Sequence, residues 1–402
     1  MLSAGKLKEV EILKELKELA LFTRLLKEPE NELVKKAAAD GRKVIGYNCS
    51  MIPTPLLSAG GLVPVWLRSP ETVDTETANF YMSPFNCSYS RAMLQSIIEG
   101  RFDFADGLVF AESCVHIDRV LHNLEVSGFH SALKEKPRYM LPFPRKELPA
   151  YLNTLTDDFR ALSGRLSEDF GVEINDDSLR EAIRARNEMN ALLKRIADLR
   201  LEDRPRITGT EWHTVFAACH TAPADMLIKP LTALLEELKT REPDATSKPR
   251  IMVFGSDLDD PALTALIERQ GCRVVADRYC FGSLPGLEPI PEGGDPYSAL
   301  AEYFLHNTQC PRMIERSGER LDYMLQKAGE YRVDGIIFEV MKFCDLWGWE
   351  VLKNEAAAKG AGIPTLKLER EYAYTGEGQL RTRIQAFIER LNGVNAEEEA
   401  RL

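Results

Sequence analysis

Two stretches of the sequence place a cysteine shortly after an apolar run that begins with Asp-Gly. Residues 106–110 lead to Cys114, and residues 334–338 lead to Cys344. Cys87 stands immediately before a helical run, where unpaired backbone amides favour a thiolate. Thiolates suit soft metals, and iron–sulfur clusters are the usual redox centres that they hold. We consider these three cysteines candidate cluster ligands; the alternative is that they are small buried hydrophobic residues.

The sequence contains eight cysteines and no Cys-x-x-Cys, so any metal site must be assembled from distant segments. Cys49 follows a predicted strand and could be a fourth ligand, a thiol that faces a substrate, or a core thiol. Cys310 lies in a loop that could reach a site. Cys272 is expected to be buried, and Cys219 and Cys280 are weaker candidates.

Three other polar residues are candidates for acid–base chemistry. His116, two residues after Cys114, could donate a proton or simply hydrogen-bond a carbonyl. Glu112 and Glu339 each follow the phenylalanine that closes a predicted strand, although a solvated or capping carboxylate is the alternative for both. We take His116 and Glu112 as the candidate catalytic residues.

Nucleotide-binding signals are weak. Arg370, Arg381 and Arg383 could pair with a phosphate-bearing ligand, but a solvated helix face explains Arg381 and Arg383 equally well. No Walker loop and no Gly-x-Gly-x-x-Gly follows a strand, so we expect the chain neither to hydrolyse ATP nor to bind a dinucleotide. A partner would supply either function.

The elements that position these residues repeat along the chain. A strand, a short helix and a second strand occur in each half, with strands near 44–47 and 62–66 and again near 251–254 and 272–276. Ligands of such folds bind at the carboxyl ends of the strands. We predict an α/β protein with two similar Rossmann- or flavodoxin-like parallel-sheet domains, a helical insert and a helical N-terminal arm. The predicted boundaries are 1–40 for the arm, 41–150 for the first α/β domain, 151–246 for the helical region and 247–402 for the second α/β domain.

Length and charge exclude several classes of protein. The 402 residues exceed what one core usually serves, and the net charge of −11 argues against nucleic acid as a partner. No window of the sequence is long and apolar enough for a membrane span, and the N-terminus lacks the order of a signal peptide. We expect a cytoplasmic protein whose cysteines are reduced.

Several motifs resemble one known family over about residues 41–391. The chain is similar to the 2-hydroxyacyl-CoA dehydratase and benzoyl-CoA reductase family, which also includes homodimeric double-cubane cluster proteins. The resemblance rests on Tyr47–Pro64, Asn86-Cys87, the Asp106–Cys114 stretch, Cys310-Pro311-Arg312-Met313, Lys342-Phe343-Cys344-Asp345 and Gly378–Arg383.

The resemblance implies that Cys87, Cys114 and Cys344 hold a [4Fe–4S] cluster in a hetero- or homodimer of related subunits. In double-cubane members two such clusters are joined by a sulfide, giving [8Fe–9S]. In the family, a separate ATP-hydrolysing [4Fe–4S] activator injects a low-potential electron, which passes to an acyl-CoA thioester. Dehydratases return that electron after losing water, whereas benzoyl-CoA reductases consume it.

The stretch Cys344–Gly348 resembles the benzoyl-CoA reductase branch more than the dehydratase branch. We therefore expect an iron–sulfur subunit of an oxygen-sensitive, benzoyl-CoA reductase-like enzyme of anaerobic metabolism. The alternatives are an (R)-2-hydroxyacyl-CoA dehydratase subunit, which eliminates water by radical syn-elimination, and a double-cubane cluster reductase. Many relatives carry an acid after the proline of the first loop, where this chain has Pro53-Thr54-Pro55. This departure weighs against a dehydratase active site on this subunit.

Overall fold

The computed structural model describes residues 16–126, 128–243, 246–280, 286–307, 310–373 and 376–399. The helical pattern predicted for residues 6–15 and part of the loop around 307–313 lie outside these ranges.

Eight strands form two four-stranded sheets in which all neighbouring strands are parallel. The strands of the first sheet are β1 (Val44–Tyr47), β2 (Val63–Trp66), β3 (Gly107–Ala111) and β4 (Arg138–Leu141). Those of the second sheet are β5 (Arg250–Gly255), β6 (Arg273–Arg278), β7 (Gly335–Met341) and β8 (Thr365–Arg370).

Fourteen α-helices connect and cover the sheets in the part of the chain that the structure describes. In the first half they are α1 (Leu19–Leu25), α2 (Glu32–Ala39), α3 (Thr54–Ser58), α4 (Ser88–Ile98), α5 (Val115–Val126), α6 (Pro149–Phe170) and α7 (Asp176–Asp198). In the second half they are α8 (Gly209–Ala218), α9 (Ala224–Thr240), α10 (Ala262–Glu268), α11 (Pro296–Asn307), α12 (Ser317–Glu330), α13 (Asp345–Gly360) and α14 (Glu377–Glu399).

The two sheets have the same topology. Their strand orders are β2-β1-β3-β4 and β6-β5-β7-β8. In each sheet the second strand therefore lies on one side of the first strand, and the third strand lies on the other side. The strand order reverses between β1 and β3 in one sheet and between β5 and β7 in the other. Ligands of open α/β sheets bind at such points, outside the carboxyl ends of the strands. The predicted fold class, two similar parallel-sheet halves with helical elements, is confirmed.

The central strands are buried on both faces, as parallel strands covered by helices must be. Every residue of β3 and β7 is buried. The carboxyl ends of β5 and β7 approach closely at Gly255, where an added Cβ would stand 1.8 Å from the carbonyl oxygen of Glu339. Only glycine permits this approach. It places the loop after β5 directly beside the loop after β7.

The predicted helical region ends in two helices, α8 and α9, and Pro223 is the N-cap residue of α9. Side chains of α8 and α9 share one core with Phe254 and Phe338 of the second sheet. None of the described helices is both long and apolar enough to cross a bilayer.

Candidate functional site

Six of the eight cysteines line one cavity of about 290 Å³ at the carboxyl ends of both sheets. Four of them follow strands directly: Cys49 after β1, Cys114 after β3, Cys280 after β6 and Cys344 after β7. Cys87 and Cys310 come from neighbouring loops and complete the lining. The cavity therefore draws its thiols from both halves of the repeat.

The three predicted ligands each precede a helix. Cys87 and Cys344 are the N-cap residues of α4 and α13, and Cys114 stands immediately before α5. In each case the amide of the third following residue favours the thiolate and acts to lower the thiol pKa: Ser90, Ile117 and Trp347, respectively. Neither N-cap sulfur forms a side-chain capping hydrogen bond, and the Cys87 thiol donates to the hydroxyl of Ser90 at 3.6 Å.

Cys49, Cys280 and Cys310 form a second group of thiols in the same lining. The hydroxyl of Ser50 donates to the carbonyl oxygen of Cys280 at 3.4 Å, which joins the first and second of these loops. Arg312 Nη1 lies 3.6 Å from the sulfur of Met51, which joins the loops of Cys49 and Cys310. The sequence pattern gives Cys280 little weight; its place directly after β6 is the signal that could have found it.

Burial raises the pKa of all six thiols, and that of Cys49 to about 12. Neighbouring thiols add to the effect, since Cys87 and Cys344 both raise the pKa of Cys114. Without a metal these groups are protonated at neutral pH. Metal binding would therefore release protons as it converts them to thiolates.

The donor set, six thiols around one space, is of the chemical type that soft metals and iron–sulfur clusters use. Among the described residues no three His, Cys, Asp or Glu side chains converge tightly enough to share one ion. In a cubane each thiolate binds a different iron, so its ligands stand farther apart than the ligands of one zinc ion. Six uncharged sulfur donors around one space match such a centre in chemical type.

His116 lines the cavity and connects the segments that bear the three predicted ligands. Its Nδ1 accepts a hydrogen bond of 3.2 Å from the backbone amide of Cys87. Its Nε2 lies 3.7 Å from Asp345, the residue after Cys344. Burial lowers the His116 pKa, and Asp345 partly opposes this effect. The neutral tautomer with the proton on Nε2 satisfies both contacts.

Glu112, the other predicted catalytic residue, is not among the residues that line the cavity. Its carboxylate lies 3.7 Å from Arg145, and both side chains are largely solvated. Asp118, one turn into α5, is the more perturbed carboxyl nearby: burial, followed by the charge of Glu112, raises its pKa to about 6. Sequence reasoning did not single out Asp118.

Asp257 is a further residue that sequence reasoning missed. It follows β5, lines the cavity and is 9% exposed. Burial and the nearby charge of Asp259 raise its pKa well above the usual range, and its buried Oδ1 has no hydrogen-bond partner within the described chain. Burial thus favours the protonated form of a carboxyl group beside the thiols. The hydroxyl of its neighbour Ser256 accepts a hydrogen bond of 2.8 Å from the backbone amide of Met341. The same hydroxyl also favours the Cys344 thiolate.

Glu339 and Arg370 differ from expectation. Glu339 is an interior residue of β7 rather than a solvated carboxylate after it, and it is fully buried. Arg370 Nε donates to Glu339 Oε2 at 2.8 Å, and its Nη2 donates to the carbonyl oxygen of Asp257. Arg370 is thereby committed to the support of the cavity. Arg381 and Arg383 are exposed on α14, as the solvated-face alternative predicted.

An aromatic pair lies beside the ligand loops. The rings of Phe85 and Phe343 meet edge to face at 5.5 Å, next to Cys87 and Cys344 in the chain. Phe343 adopts φ 63°, which is costly for a bulky residue. This turn ends β7 and brings Cys344 to the start of α13. Cys219 and Cys272 are buried elsewhere, which confirms the prediction for Cys272.

Comparison with known proteins identifies the family. Residues 49–391 match the model described as 2-hydroxyglutaryl-CoA dehydratase, D-component. The chain is 25% identical to the (R)-phenyllactyl-CoA dehydratase beta subunit of Clostridium sporogenes, over 92% of this chain and 97% of that protein. It is 26% identical to the putative dehydratase subunit YjiM of Escherichia coli K12, over 87% and 92%. It is 24% identical to a benzoyl-CoA reductase subunit of Thauera aromatica, over 77% and 81%. The chain therefore belongs to the 2-hydroxyglutaryl-CoA dehydratase D-component family, an enzyme family of acyl-CoA dehydratase and benzoyl-CoA reductase subunits.

Proposed function

We propose that this chain is the iron–sulfur subunit of an activator-dependent reductase and that its six cavity cysteines hold a double-cubane centre. Cys87, Cys114 and Cys344 would hold one [4Fe–4S] unit, and Cys49, Cys280 and Cys310 the other. The observation that carries the proposal is that all six thiols line one cavity. A centre of this kind supplies low-potential single electrons to a bound substrate.

The side chains around the cavity would fix the ligand loops, hold a proton and exclude water. His116 holds the Cys87 amide, so that the loop before α4 stays fixed against α5. Asp257 keeps a proton within the cavity, where a substrate that gains electrons would need one. Trp347, 1% exposed, and Met341, 1% exposed, close the lining on the side of the second sheet and exclude water.

A second candidate is a benzoyl-CoA reductase-like subunit with one cluster. The observation that favours it is that, within the described ranges, only Cys87, Cys114 and Cys344 of the cavity thiols stand immediately before an α-helix. In that case Cys49, Cys280 and Cys310 would face the substrate, an acyl-CoA thioester. A third candidate is an (R)-2-hydroxyacyl-CoA dehydratase subunit, which the family model and the phenyllactyl-CoA dehydratase relative favour, although Thr54 follows the proline of the first loop where the family resemblance leads us to expect an acid.

Anaerobic purification with a cognate ATP-hydrolysing activator separates these candidates. The double-cubane proposal predicts about eight irons per chain and activator-dependent reduction of small substrates, because each cubane contains four irons. The single-cluster candidate predicts about four irons per chain and reduction of benzoyl-CoA. Near-zero iron and acid-labile sulfide after anaerobic reconstitution would contradict both.

A further inference from the structure

A second, smaller cavity of about 70 Å³ adjoins the thiol-lined cavity. The two cavities share Ser50, Cys280 and Cys310 in their linings. A ligand in the smaller cavity would therefore lie next to the second group of thiols.

Two arginines line the smaller cavity, and no Asp or Glu is among the described residues that line it. Arg186 enters from α7, and Arg278 comes from the end of β6. Arg278 is 5% exposed, and its guanidinium lies 5.3 Å from the centre of the Trp347 ring. Burial lowers its pKa. Two guanidinium groups in a small enclosed space create a strongly positive site.

Arg186 has no hydrogen bond or ion pair with any residue that the structure describes, although it is half-buried. Its charge nevertheless reaches into the cavity, because it acts to lower the pKa of Tyr47, Tyr303 and His220. Burial keeps His220 neutral, since its pKa lies well below the usual range. A half-buried cation without a counter-charge is costly, and an anionic ligand would supply that charge.

The size of the cavity and the chemistry of its lining limit what this anion can be. A volume of about 70 Å³ is well below the roughly 300 Å³ or more of pockets that enclose drug-sized ligands, so the nucleotide portion of coenzyme A does not fit. A guanidinium binds a carboxylate through two parallel hydrogen bonds. The hydroxyl of Thr54 in the same lining offers a further donor.

We propose that the cavity lined by Arg186 and Arg278 binds a carboxylate of the substrate, so that the substrate carries an acid group besides its reacting centre. The carboxylate would sit between the arginines, and the rest of the molecule would extend past Cys280 and Cys310 to the thiol-lined cavity. Only the extension of the substrate to the thiol-lined cavity rests on the proposed function. An apolar acyl group such as benzoyl would offer the guanidinium of Arg186 no counter-charge.

The test is calorimetric titration of the anaerobically purified protein with succinate and with its uncharged diamide, succinamide. We expect succinate to bind and succinamide to bind at least about tenfold more weakly, since it offers no charge to the guanidinium groups. Arg186→Gln should weaken succinate binding about tenfold or more, the usual loss for a charge-assisted pair. Arg186→Lys, which keeps the charge, should retain part of the affinity for succinate that Arg186→Gln loses. Arg184→Gln, at an exposed position of the same helix, should change the affinity less than about twofold.

Equal binding of succinate and succinamide, or unchanged succinate affinity in folded Arg186→Gln protein, would overturn the proposal. A second arm titrates the protein with succinyl-CoA and with butyryl-CoA. Tighter binding of succinyl-CoA than of butyryl-CoA, lost in Arg186→Gln, identifies an acyl chain as the source of the carboxylate. Succinate binding without such a difference identifies a free acid. Because titration does not require iron, succinate binding by protein whose iron stays near zero after anaerobic reconstitution would refute the proposed function and leave this inference standing.

Discussion

The backbone amide of Cys87 donates a hydrogen bond of 3.2 Å to Nδ1 of His116. This contact joins the loop before α4 to the first turn of α5, and the other ring nitrogen faces Asp345 at the start of α13. One imidazole thus contacts or adjoins all three segments that carry the predicted cluster ligands. The sequence places His116 near Cys114 only; the fold adds the other two segments.

His116→Ala should leave the Cys87 amide without its acceptor. Since an unsatisfied buried donor costs on the order of 1–3 kcal/mol and this group is partly buried, we expect a loss of about 1 kcal/mol in the free energy of unfolding. We also expect faster loss of iron during anaerobic gel filtration. His116→Asn, whose Oδ1 can accept the same bond, is the matched control. Equal iron retention by the alanine variant and the wild type would show that the contact is dispensable.

Asp257→Asn should preserve the iron content but lower activator-dependent turnover by roughly 100-fold, the lower end of general acid catalysis. Asparagine matches the size and neutrality of the protonated acid, so binding and folding should be unaffected. The wild-type rate should fall as pH rises through the raised pKa of Asp257, and the variant should not show that fall. Asp260→Asn, in the same loop but outside the cavity lining, is the control. A variant with wild-type turnover would exclude Asp257 as the proton source.

Alkylation of the metal-free protein should follow the raised thiol pKa values. Because burial raises the pKa of Cys49 to about 12, the thiolate fraction should rise about tenfold between roughly pH 9 and pH 10, and the rate with iodoacetamide should rise with it. An ordinary thiol is largely ionised by about pH 9 and would show little further increase. Peptide mass spectrometry gives the rate at each cysteine. A plateau in the rate at Cys49 over the same range would contradict the assigned environment.

Arg370→Met should destabilise the protein by about 3–5 kcal/mol, because it leaves the fully buried carboxylate of Glu339 without its partner. The carbonyl oxygen of Asp257 also loses a donor, so the thiol cavity should loosen and retain less iron. Urea unfolding measures the first effect. Lys194→Met removes the exposed pair with Asp198 and should cost less than about 1 kcal/mol. Equal losses for the two variants would contradict the structural role of Arg370.

Local patterns predict the fold and single out five of the six cavity thiols as candidates. The Asp-Gly runs before Cys114 and Cys344 open buried strands, so the start of both strands can be located from the sequence, whereas β7 continues through Glu339 to Met341, beyond the predicted run. Cys280 is harder to recognise because β6 ends in Asp277 and Arg278, two charges that disguise the end of a buried strand. Asp277 is tolerated there because Arg200 pairs with it at 2.5 Å from 77 residues away.

The edge strand β4 and the contacts between distant side chains could not be predicted from the sequence. The strand β4 was not predicted, since its burial alternates and one of its residues is exposed. The pairing of Arg370 with Glu339 escapes local patterns because Glu339 lies 31 residues earlier, on the neighbouring strand. Arg186 gives no signal in the sequence because it is one of many arginines in a long helical region. Only the fold shows that this one faces a cavity.

The most direct test of the six-thiol centre is the iron content of two anaerobically purified serine variants. Replacement of Cys49, Cys280 and Cys310 together should lower iron from about eight to about four per chain, because one cubane would lose its ligands. Replacement of Cys219 and Cys272, which are buried outside the cavity, should leave iron unchanged. Iron content in the triple variant equal to that of the double variant would contradict the proposal that all six cavity cysteines hold the centre.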